Sequence, residues 1–511
     1  MKINPILLVD GYKTSHKSMY PKGTTLVYSN YTCRSVKRMP EEAKDIVIFG
    51  TQYMIKYIND VFKNDFFGVS KEVVCGEAKE YLTNYLGSEY DVSHFEALHD
   101  LGYLPIEIKA LEEGTIIQAG IPLFTIKNTL PEFFWVTNYL ETLISTLIWK
   151  PVHSASLAYG YKKLLTKYAL ETDKDNIGFV DFQGHDFSFR GMQSPESAIS
   201  SAMGFLTSFK GTDTVPALQA LSYYYKENNT AFSVPASEHS VMCSHGKEGE
   251  INTLEYLMDQ YPKGILSVVS DTWDLWKLLT EYLPKLKDRI MSRDGKLVIR
   301  PDSGDPVDII CGKSAWYENS NRPYDEWIED KMKIQLQHCR GGIYPSKSEY
   351  KGVIELLWDV FGGTINEQGF KVLDSHIGAI YGDSITLERA EQICYRLKSK
   401  GFASTNIVLG VGSYSMGYAT RDNQGGAVKS TYVEVNGEAR EIFKDPITDD
   451  GTKKSAKGLL RVNMNGDYSL YLKDQCSWKE EVGGGLTTIY KDGVLIKEVT
   501  LSEIRERIIK G

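Results

Sequence analysis

Arg300 and Asp302 are the residues whose types and spacing point most directly to chemistry. They follow the apolar residues 297–299 and precede a Ser–Gly turn, so the segment is typical of a buried strand with charges at its carboxyl end. Residues two apart on a strand point to the same side. Because arginine binds phosphate bidentately and an ionised aspartate accepts hydrogen bonds from hydroxyls, the pair predicts a clamp for a ligand that carries both groups.

Polar residues also follow the other short apolar runs between residues 177 and 410. The predicted strands are 177–182, 214–217, 232–235, 266–271, 296–302, 377–382 and 406–410, and helical stretches lie between them at 195–209, 254–260, 272–282 and 385–400. Alternating strands and helices are typical of a parallel sheet, and the number and β-branched content of the strands favour a TIM-like α/β barrel. The loops at the carboxyl ends of barrel strands converge, so the polar residues and glycines at these strand ends are candidates for one composite site: His185, Arg190, His239, Asp271, Gly382, Asp383, Gly410 and Gly412, together with Asp213, which leads into the predicted strand 214–217.

The remaining chain predicts a second domain of mixed α+β type. Residues 1–150 combine helical and strand-like runs, and residues 425–511 contain β-hairpins with Asn–Gly and Asp–Gly turns. We expect these two segments to form one domain around the barrel of residues 151–424, which carries a polar insertion at about 312–350. A helix is predicted at 154–172, with Ser154 or Ser156 as its N-cap.

Composition excludes several classes of protein. The chain has 511 residues, enough for two or three domains, and a net charge of −9 disfavours nucleic acid or an anionic membrane as the main partner. No apolar run has the length of a membrane helix, and the first residues do not resemble a signal peptide. Seven scattered cysteines without a CxxC pair indicate reduced thiols, so a cytoplasmic protein is expected. No spacing of cysteines and histidines suggests a resident metal.

Phosphate binding is one of two explanations for the glycines and cations late in the barrel. Gly382, Gly410 and Gly412 suit binding of a phosphate through backbone N–H groups. A basic series follows in an otherwise acidic chain: Arg421, Lys429, Lys444, Lys453, Lys454 and Lys457. A solvated charged face is the ordinary explanation of such a series, and a polyphosphate site is the more specific one.

A set of motifs along nearly the whole chain resembles the nicotinamide phosphoribosyltransferase family. The motifs are Asp10-Gly11-Tyr12-Lys13 with His16, His185-Asp186-Phe187-x-Phe189-Arg190-Gly191, Phe209-Lys210-Gly211-Thr212-Asp213-Thr214, Ser233-Val234-Pro235-Ala236-x-Glu238-His239-Ser240, Ser267-Val268-Val269-Ser270-Asp271, Ile299-Arg300-Pro301-Asp302-Ser303-Gly304, Gly382-Asp383, Thr420-Arg421-Asp422 and Phe443-Lys444-Asp445-Pro446. Residues 312–370 have no clear counterpart in the compact members of the family.

The resemblance implies a homodimer with active sites at the subunit interface. The implied reaction joins nicotinamide to 5-phosphoribosyl 1-pyrophosphate and gives nicotinamide mononucleotide and pyrophosphate in NAD salvage. Phe187 and the Tyr12 of the partner subunit would stack on the pyridine ring. Asp213 would accept a hydrogen bond from the carboxamide NH₂ and repel the carboxylate of nicotinate, and Arg190 would lie near the ring and the sugar phosphate.

The resemblance also implies roles around the ribose, the phosphates and ATP. Arg300 and Asp302 resemble the ribose-side clamp, with Asp271 nearby. The implied cradle for the 5-phosphate is Gly382, Asp383, Gly410 and Gly412, and the implied pyrophosphate-binding cations are Arg34, Arg421, Lys429 and Lys453. Mg²⁺ would accompany pyrophosphate or ATP, and His239 matches the family histidine that ATP phosphorylates to drive the reaction.

Three alternatives stay open at the level of sequence. They are a nicotinate phosphoribosyltransferase of the same fold, a barrel hydrolase or lyase that acts on sugar phosphates, and a non-catalytic binding protein on this scaffold. The sequence also departs from the family pattern at Ser384, Ser413 and Tyr414, which stand where the family has glycines. We therefore expect a tighter phosphate loop.

Overall fold

Two sheets of different kinds organise the chain in the computed structural model, which describes residues 3–313, 345–382, 384–443 and 456–510. The first sheet is antiparallel and seven-stranded. In spatial order its strands are Glu438–Glu441, Gly426–Val435, Thr24–Cys33, Pro122–Asn128, Ile106–Ala110, Thr487–Lys491 and Val494–Leu495. The N- and C-terminal segments thus share one sheet, as the sequence predicts.

The second sheet is parallel and six-stranded. In spatial order its strands are Gly211–Thr212, Gly184–Asp186, Ile407–Val411, Ile377–Tyr381, Asp294–Arg300 and Lys263–Val269. Branched residues such as Leu297, Ile299 and Leu409 are fully buried, and they pack in one apolar cluster with the surrounding helices. The predicted fold class, a TIM-like barrel with a mixed α+β domain, is confirmed.

A short extended segment closes the parallel sheet into a ring. Phe232 forms a parallel bridge with Gly211 at one edge of the sheet, and Ala236 forms another with Ser267 at the opposite edge. The strand predicted here is therefore reduced to two isolated bridges. Pro235 has no N–H to donate and contributes only its carbonyl, which accepts the N–H of Ser267 at 2.9 Å.

Helices cover the barrel and the antiparallel sheet, and shorter strand pairs complete the fold. Within the described residues the α-helices are His16–Met19, Thr51–Phe62, Lys71–Leu86, Ser93–Leu101, Val136–Tyr139, Glu141–Thr172, Val180–Gln183, Pro195–Phe205, Pro216–Tyr225, His239–Ser244, Glu250–Gln260, Leu275–Lys277, Leu283–Met291, Pro306–Cys311, Lys347–Lys351, Val353–Phe361, Leu387–Ser399, Ser413–Met416, Trp478–Glu481 and Leu501–Lys510. The strand pairs are Ile46–Val47 with Ile116–Ile117, Gly363–Ile365 with Lys371–Leu373, and Leu459–Met464 with Leu470–Cys476.

The helix Glu141–Thr172, called the long helix below, spans 32 residues and joins the two halves of the molecule. Its apolar residues up to Ala155 pack in the core of the antiparallel sheet, and those from Leu157 onward pack in the barrel core. The predicted N-caps are wrong because the helix continues through them, and Ser156 instead donates to the carbonyl of Val152. Burial in two cores outweighs the helix-breaking tendency of Pro151.

The first two barrel strands lie beside the predicted positions. The first predicted strand, 177–182, is helical, and the strand follows it at Gly184–Asp186. The second, 214–217, comes just after the strand Gly211–Thr212 and runs into a helix that begins at Pro216. A short apolar run does not distinguish a buried helical turn from a strand, and proline at the first helical position favours a helix start.

The predicted domain limit between residues 150 and 151 stays a prediction. The long helix runs through this position without a break. The insertion predicted at 312–350 lies largely outside the described residues, which resume at residue 345. In the described ranges, no helix combines the length and apolar character needed to cross a membrane.

Candidate active site

Seven of the predicted site residues meet at the carboxyl ends of the barrel strands. They line a cavity of about 650 Å³, the mouth cavity. Its lining residues are Phe187, Phe189, Arg190, Gly191, Asp213, Ala236, Ser237, Glu238, Arg300, Asp302, Gly382, Gly412 and Ser413. The carboxyl ends of parallel strands therefore assemble one composite pocket, as the sequence predicts.

A second cavity of about 430 Å³, the inner cavity, adjoins the mouth cavity and lies inside the barrel. Phe187, Asp213, Ala236 and Arg300 line both cavities. Barrels of this type usually fill their interior with layers of branched side chains. Here small residues such as Gly211, Ala236, Ser267 and Gly378 line the interior and leave space for a flat ring beside Phe187.

Asp213 presents an ionised carboxylate to both cavities. Its Oδ1 accepts hydrogen bonds from Nε2 of His185 at 2.8 Å and from Oγ of Ser233 at 2.7 Å. Burial raises the pKa of this carboxyl, but the contacts with His185 and Ser233 outweigh burial and hold the pKa below its usual value. Oδ2 takes no hydrogen bond from the described part of the chain, so it can accept one from a ligand.

Arg300 lies beside the ring of Phe187, with its guanidinium carbon 5.8 Å from the ring centroid. Its Nε is buried and has no hydrogen-bond partner among the residues that the structure describes. A buried N–H without an acceptor is unfavourable. The geometry therefore suits a ligand that brings an oxygen atom to this guanidinium.

Gly410 positions Phe187 and does not line either cavity. A Cβ atom at Gly410 would lie 2.6 Å from Cδ2 of Phe187, so any side chain there would displace the ring. The backbone N–H of Phe187 also donates to the carbonyl of Val411 at 3.0 Å. The structure thus places this glycine behind the aromatic ring, although the resemblance implies a place in the phosphate cradle.

Asp271 joins two other predicted site residues. Nε2 of His239 lies 3.3 Å from its Oδ1, and its Oδ2 accepts the backbone N–H groups of Asp302 and Ser303 at 2.8 and 2.7 Å. Burial raises the pKa of Asp271, but the hydrogen bonds from Ser303 and Asp302 outweigh it and lower the pKa below its usual value. One carboxylate therefore orients the histidine and holds the turn after Arg300.

The glycines of the predicted phosphate cradle allow close approach of the chain. A Cβ at Gly382 would lie 2.5 Å from Oδ1 of Asp302. Gly191, which lines the mouth cavity but is not part of the predicted cradle, is similarly close to the chain, since a Cβ there would lie 2.0 Å from Oγ of Ser413. Gly412 precedes the short helix Ser413–Met416 and lines the mouth cavity. The Asp383 prediction falls outside the described residues.

The predicted pyrophosphate-binding cations form a separate basic cluster. Arg34 donates through Nε to the carbonyl of Gly425 at 2.9 Å. Burial lowers the pKa of Lys429, Glu141 raises it, and nearby cations lower it further: Arg34, Arg421 and Lys13. None of these cations lines the mouth cavity, and the Lys453 prediction lies outside the described part of the chain.

Tyr12 belongs to the same side of the molecule as the basic cluster. Its ring is 61% exposed, and the ammonium of the neighbouring Lys13 lies 5.2 Å from its centroid. Lys13 forms an ion pair with Glu141 at the start of the long helix. The structure thus divides the predicted residues into the mouth cavity and a second group around Tyr12.

Sequence reasoning includes His185 among the candidates for the site but assigns no role in holding Asp213 to His185, Ser233 or Asp186. His185 and Ser233 fix the carboxylate, as described above. The buried Asp186 accepts hydrogen bonds from the hydroxyl groups of Thr212 and Thr214 at 2.8 and 2.7 Å, which ties adjacent strand ends together. The signal for these roles was their position in the motifs at 185–191, 209–214 and 233–240, since the buried His185 and Asp186 need hydrogen-bond partners.

Comparison with known proteins gives consistent matches. The model of the nicotinate phosphoribosyltransferase family matches residues 182–480, and that of the nicotinamide phosphoribosyltransferase N-terminal domain matches residues 4–108. A nicotinamide phosphoribosyltransferase from Acinetobacter baylyi is 45% identical over 99% of this chain and 97% of its own length. Another from Mycoplasma pneumoniae is 35% identical over 89% of this chain and 94% of its own length.

Solved structures support the fold. Human nicotinic acid phosphoribosyltransferase aligns over 99% of this chain and 93% of its own with a TM-score of 0.54 and 14% identity. A nicotinate-nucleotide pyrophosphorylase from Pyrococcus furiosus aligns over 98% and 93% with a TM-score of 0.52 and 13% identity. From the sequence matches above, the chain belongs to the nicotinamide phosphoribosyltransferase family of enzymes.

Proposed function

We propose that this enzyme transfers the phosphoribosyl group of 5-phosphoribosyl 1-pyrophosphate to nicotinamide, giving nicotinamide mononucleotide and pyrophosphate for NAD salvage. The observation that carries this proposal is the carboxylate of Asp213. Its Oδ1 accepts hydrogen bonds from His185 and Ser233, and Asp213 lines both cavities beside Phe187. An ionised acceptor beside an aromatic ring suits a neutral carboxamide and disfavours the carboxylate of nicotinate.

The chemistry requires alignment more than proton transfer. The pyridine nitrogen has a free lone pair and attacks the anomeric carbon as the bond to pyrophosphate breaks, so no general base is needed. Positive charge develops on the ribose ring and negative charge on the leaving group. Asp302 and Arg300 both line the mouth cavity, where Asp302 would face the ribose and Arg300 would bind oxygen atoms of the sugar phosphate.

A homodimer would complete this site. The mouth cavity of one chain contains no residue of the basic cluster and not Tyr12. A second copy that places its Tyr12 over Phe187 and its basic cluster over the mouth would supply the second stacking ring and the cations for pyrophosphate. The exposed ring of Tyr12 supports this arrangement because exposed aromatic residues are enriched at interfaces.

Mg²⁺ would enter with the substrate. Within the described residues no group of three or more His, Cys, Asp or Glu side chains is arranged to hold a metal. Mg²⁺ commonly keeps waters and binds phosphate oxygens, with one or two carboxylates from the protein. Asp302 in the mouth cavity is the carboxylate that would meet it there, and the ion would neutralise charge on the pyrophosphate.

ATP coupling through His239 completes the proposal. Its side chain is 45% exposed, and Asp271 binds Nε2. That contact leaves the Nδ1 lone pair to attack the γ-phosphorus of ATP, which forms phosphohistidine and releases ADP. Hydrolysis of the phosphohistidine would then drive synthesis of the mononucleotide.

The test is a coupled measurement of nicotinamide mononucleotide and pyrophosphate with purified enzyme, with and without ATP. We expect both products in equal amounts and faster formation with ATP. A preference for nicotinate over nicotinamide would overturn the substrate assignment in favour of a nicotinate phosphoribosyltransferase. Absence of pyrophosphate release with either base would favour a hydrolase or lyase of sugar phosphates.

A further inference from the structure

Lys150 is a buried cation that the proposed chemistry does not use. It lies in the long helix with 3% of its surface exposed, and its Nζ donates to the carbonyl of Met416. Met416 is the last residue of the helix Ser413–Met416, which follows Gly412. A buried ammonium is costly unless it is well paired, so the position of Lys150 beneath the segment 412–417 requires an explanation.

The face of the long helix that carries Lys150 contacts the segment 412–417 at a second point. Tyr161 follows Lys150 by eleven residues, which is three helical turns, so both side chains lie on one face. The hydroxyl of Tyr161 lies 3.1 Å from Oγ of Ser415 and donates to the carbonyl of Ile385 at 2.7 Å. Two side chains of one rigid helix therefore hold the segment 412–417.

This segment forms part of the mouth cavity. Gly412 and Ser413 line it, and Oγ of Ser413 fills the space that Gly191 leaves open. The side chain of Gln193 also donates to the carbonyl of Gly417 at 3.0 Å. The position of Gly412 and Ser413 thus depends on contacts made behind the cavity, where Lys150 supplies the charged one.

We propose that Lys150 is a positioning residue that fixes the segment 412–417 so that Gly412 and Ser413 can bind the 5-phosphate of the substrate. This inference rests on the proposed function. Lys150 does not line the cavity and acts only through its hydrogen bond to Met416. A charge-assisted hydrogen bond is stronger than a neutral one, so the ammonium holds the carbonyl more firmly than an amide or hydroxyl would.

Lys150 should lose its proton within an accessible pH range, so its role can be tested by a change of pH. Burial lowers its pKa to about 8, with Asp186 opposing the shift. His153 on the same helix also interacts electrostatically with Lys150, and burial lowers the pKa of His153 to about 3, so it stays neutral above pH 7. Burial also raises the pKa of Tyr161 far above neutral, so the hydroxyl keeps its proton. Of Lys150, His153 and Tyr161, only Lys150 thus changes charge between pH 7 and 9.

The experiment compares binding of nicotinamide mononucleotide and nicotinamide riboside to the full-length enzyme by calorimetry. These ligands differ only in the 5-phosphate, so the ratio of their affinities isolates the contribution of the phosphate. We expect Lys150→Met to reduce this ratio about tenfold, since a hydrogen bond to a charged group is lost, while riboside affinity is retained. Lys167→Met, which removes an exposed lysine of the same helix, should leave the ratio unchanged.

The wild-type enzyme gives an independent measurement that does not depend on folding of a variant. The affinity ratio should fall as pH rises from 7 to 9, because Lys150 loses its proton while the phosphate monoester is already a dianion. A ratio that stays constant with pH, or that Lys150→Met does not change, would overturn the inference. Failure of the wild-type enzyme to bind the mononucleotide at all would instead overturn the proposed function.

Discussion

Asp271 contacts His239 through one carboxylate oxygen, at 3.3 Å, and uses the other oxygen to hold the turn at residues 302–303. The two residues should therefore differ when they are mutated. We expect His239→Ala to abolish stimulation by ATP and to keep a slow basal rate. Asp271→Asn should lower the basal rate as well, by about tenfold, because hydrogen bonds to a charged group are weakened.

Initial rates with and without ATP distinguish these effects. Asp305→Asn, which changes a carboxylate that caps the next helix, is the control for altered charge near the turn. Persistent ATP stimulation in His239→Ala would contradict the phosphohistidine proposal. Equal behaviour of the His239 and Asp271 variants would contradict a separate role of Asp271 in the turn.

Asp213 should determine the choice between nicotinamide and nicotinate. Asp213→Asn removes the negative charge but keeps the shape, so we expect selectivity for nicotinamide to fall about tenfold or more. The measurement is the ratio of kcat/KM for the two bases. Because the pKa of Asp213 lies below its usual value, the wild-type ratio should be constant from pH 5 to 9.

Ser233→Ala provides the matched control, since it removes one hydrogen bond to Asp213 but keeps the charge and the contact with His185. Selectivity should be nearly preserved in this variant. An unchanged preference for nicotinamide in Asp213→Asn would show that another group selects the base.

The predicted site residues form two groups, one in the mouth cavity and one around Tyr12. A site shared between subunits can therefore be tested by complementation. Tyr12→Ala and Arg300→Ala should each inactivate the enzyme. In a mixture that has exchanged subunits, half of the dimers are mixed and each contains one intact site. Activity should therefore recover to about a quarter of the wild-type value.

Subunit exchange and rate are the measurements, and a mixture of Arg300→Ala with Asp302→Ala is the control. Both of these changes lie in the mouth cavity of one chain, so no intact site can form. Recovery in the control mixture, or none in the Tyr12 mixture, would contradict a site shared between subunits.

Glu250 should make stability depend on pH. Burial and the nearby Asp274 raise its pKa from 4.5 to about 7, so the folded chain keeps a proton that the unfolded chain has released. The free energy of unfolding contributed by this group must then fall as pH rises from about 4.5 to 7. We expect Glu250→Gln to remove this loss and to gain about 2 kcal/mol relative to wild type between pH 5 and 8.

Urea unfolding at several pH values measures the effect, and the exposed Glu248→Gln is the matched control. An equal pH dependence in wild type and Glu250→Gln would show that the carboxyl titrates normally.

Strand ends with several charged residues could be predicted from sequence, because each motif couples an apolar run to a polar turn. Arg300 and Asp302 lie where the alternation of strands and helices places them, whereas Asp213 was expected before a strand at 214–217 and instead follows the strand Gly211–Thr212. The strand 184–186 was not predicted, because three residues give no periodicity and the helical run before it is equally apolar. Backbone hydrogen bonds to neighbouring strands, which depend on distant residues, decide such short strands.

The site was predictable as a set of residues and less so as a geometry. The motif around Gly410 suggested phosphate binding, while the structure puts this glycine behind Phe187. Lys150 received no role, since a lysine beside a proline in a helical run has no pattern of its own. Contacts between residues far apart in sequence, such as Lys150 with Met416, are set by packing of the long helix.

The number of residues in the long helix determines how its contacts with the two halves of the molecule are oriented. At 1.5 Å per residue the helix is roughly 48 Å long. Glu141 at its start pairs with Lys13, and Lys150 and Tyr161 support the segment 412–417 farther along. Insertion of a single residue between these contacts would rotate one set against the other by about 100°. A change of one side chain on this helix alters one contact, whereas a change in its length would misalign both halves of the molecule at once.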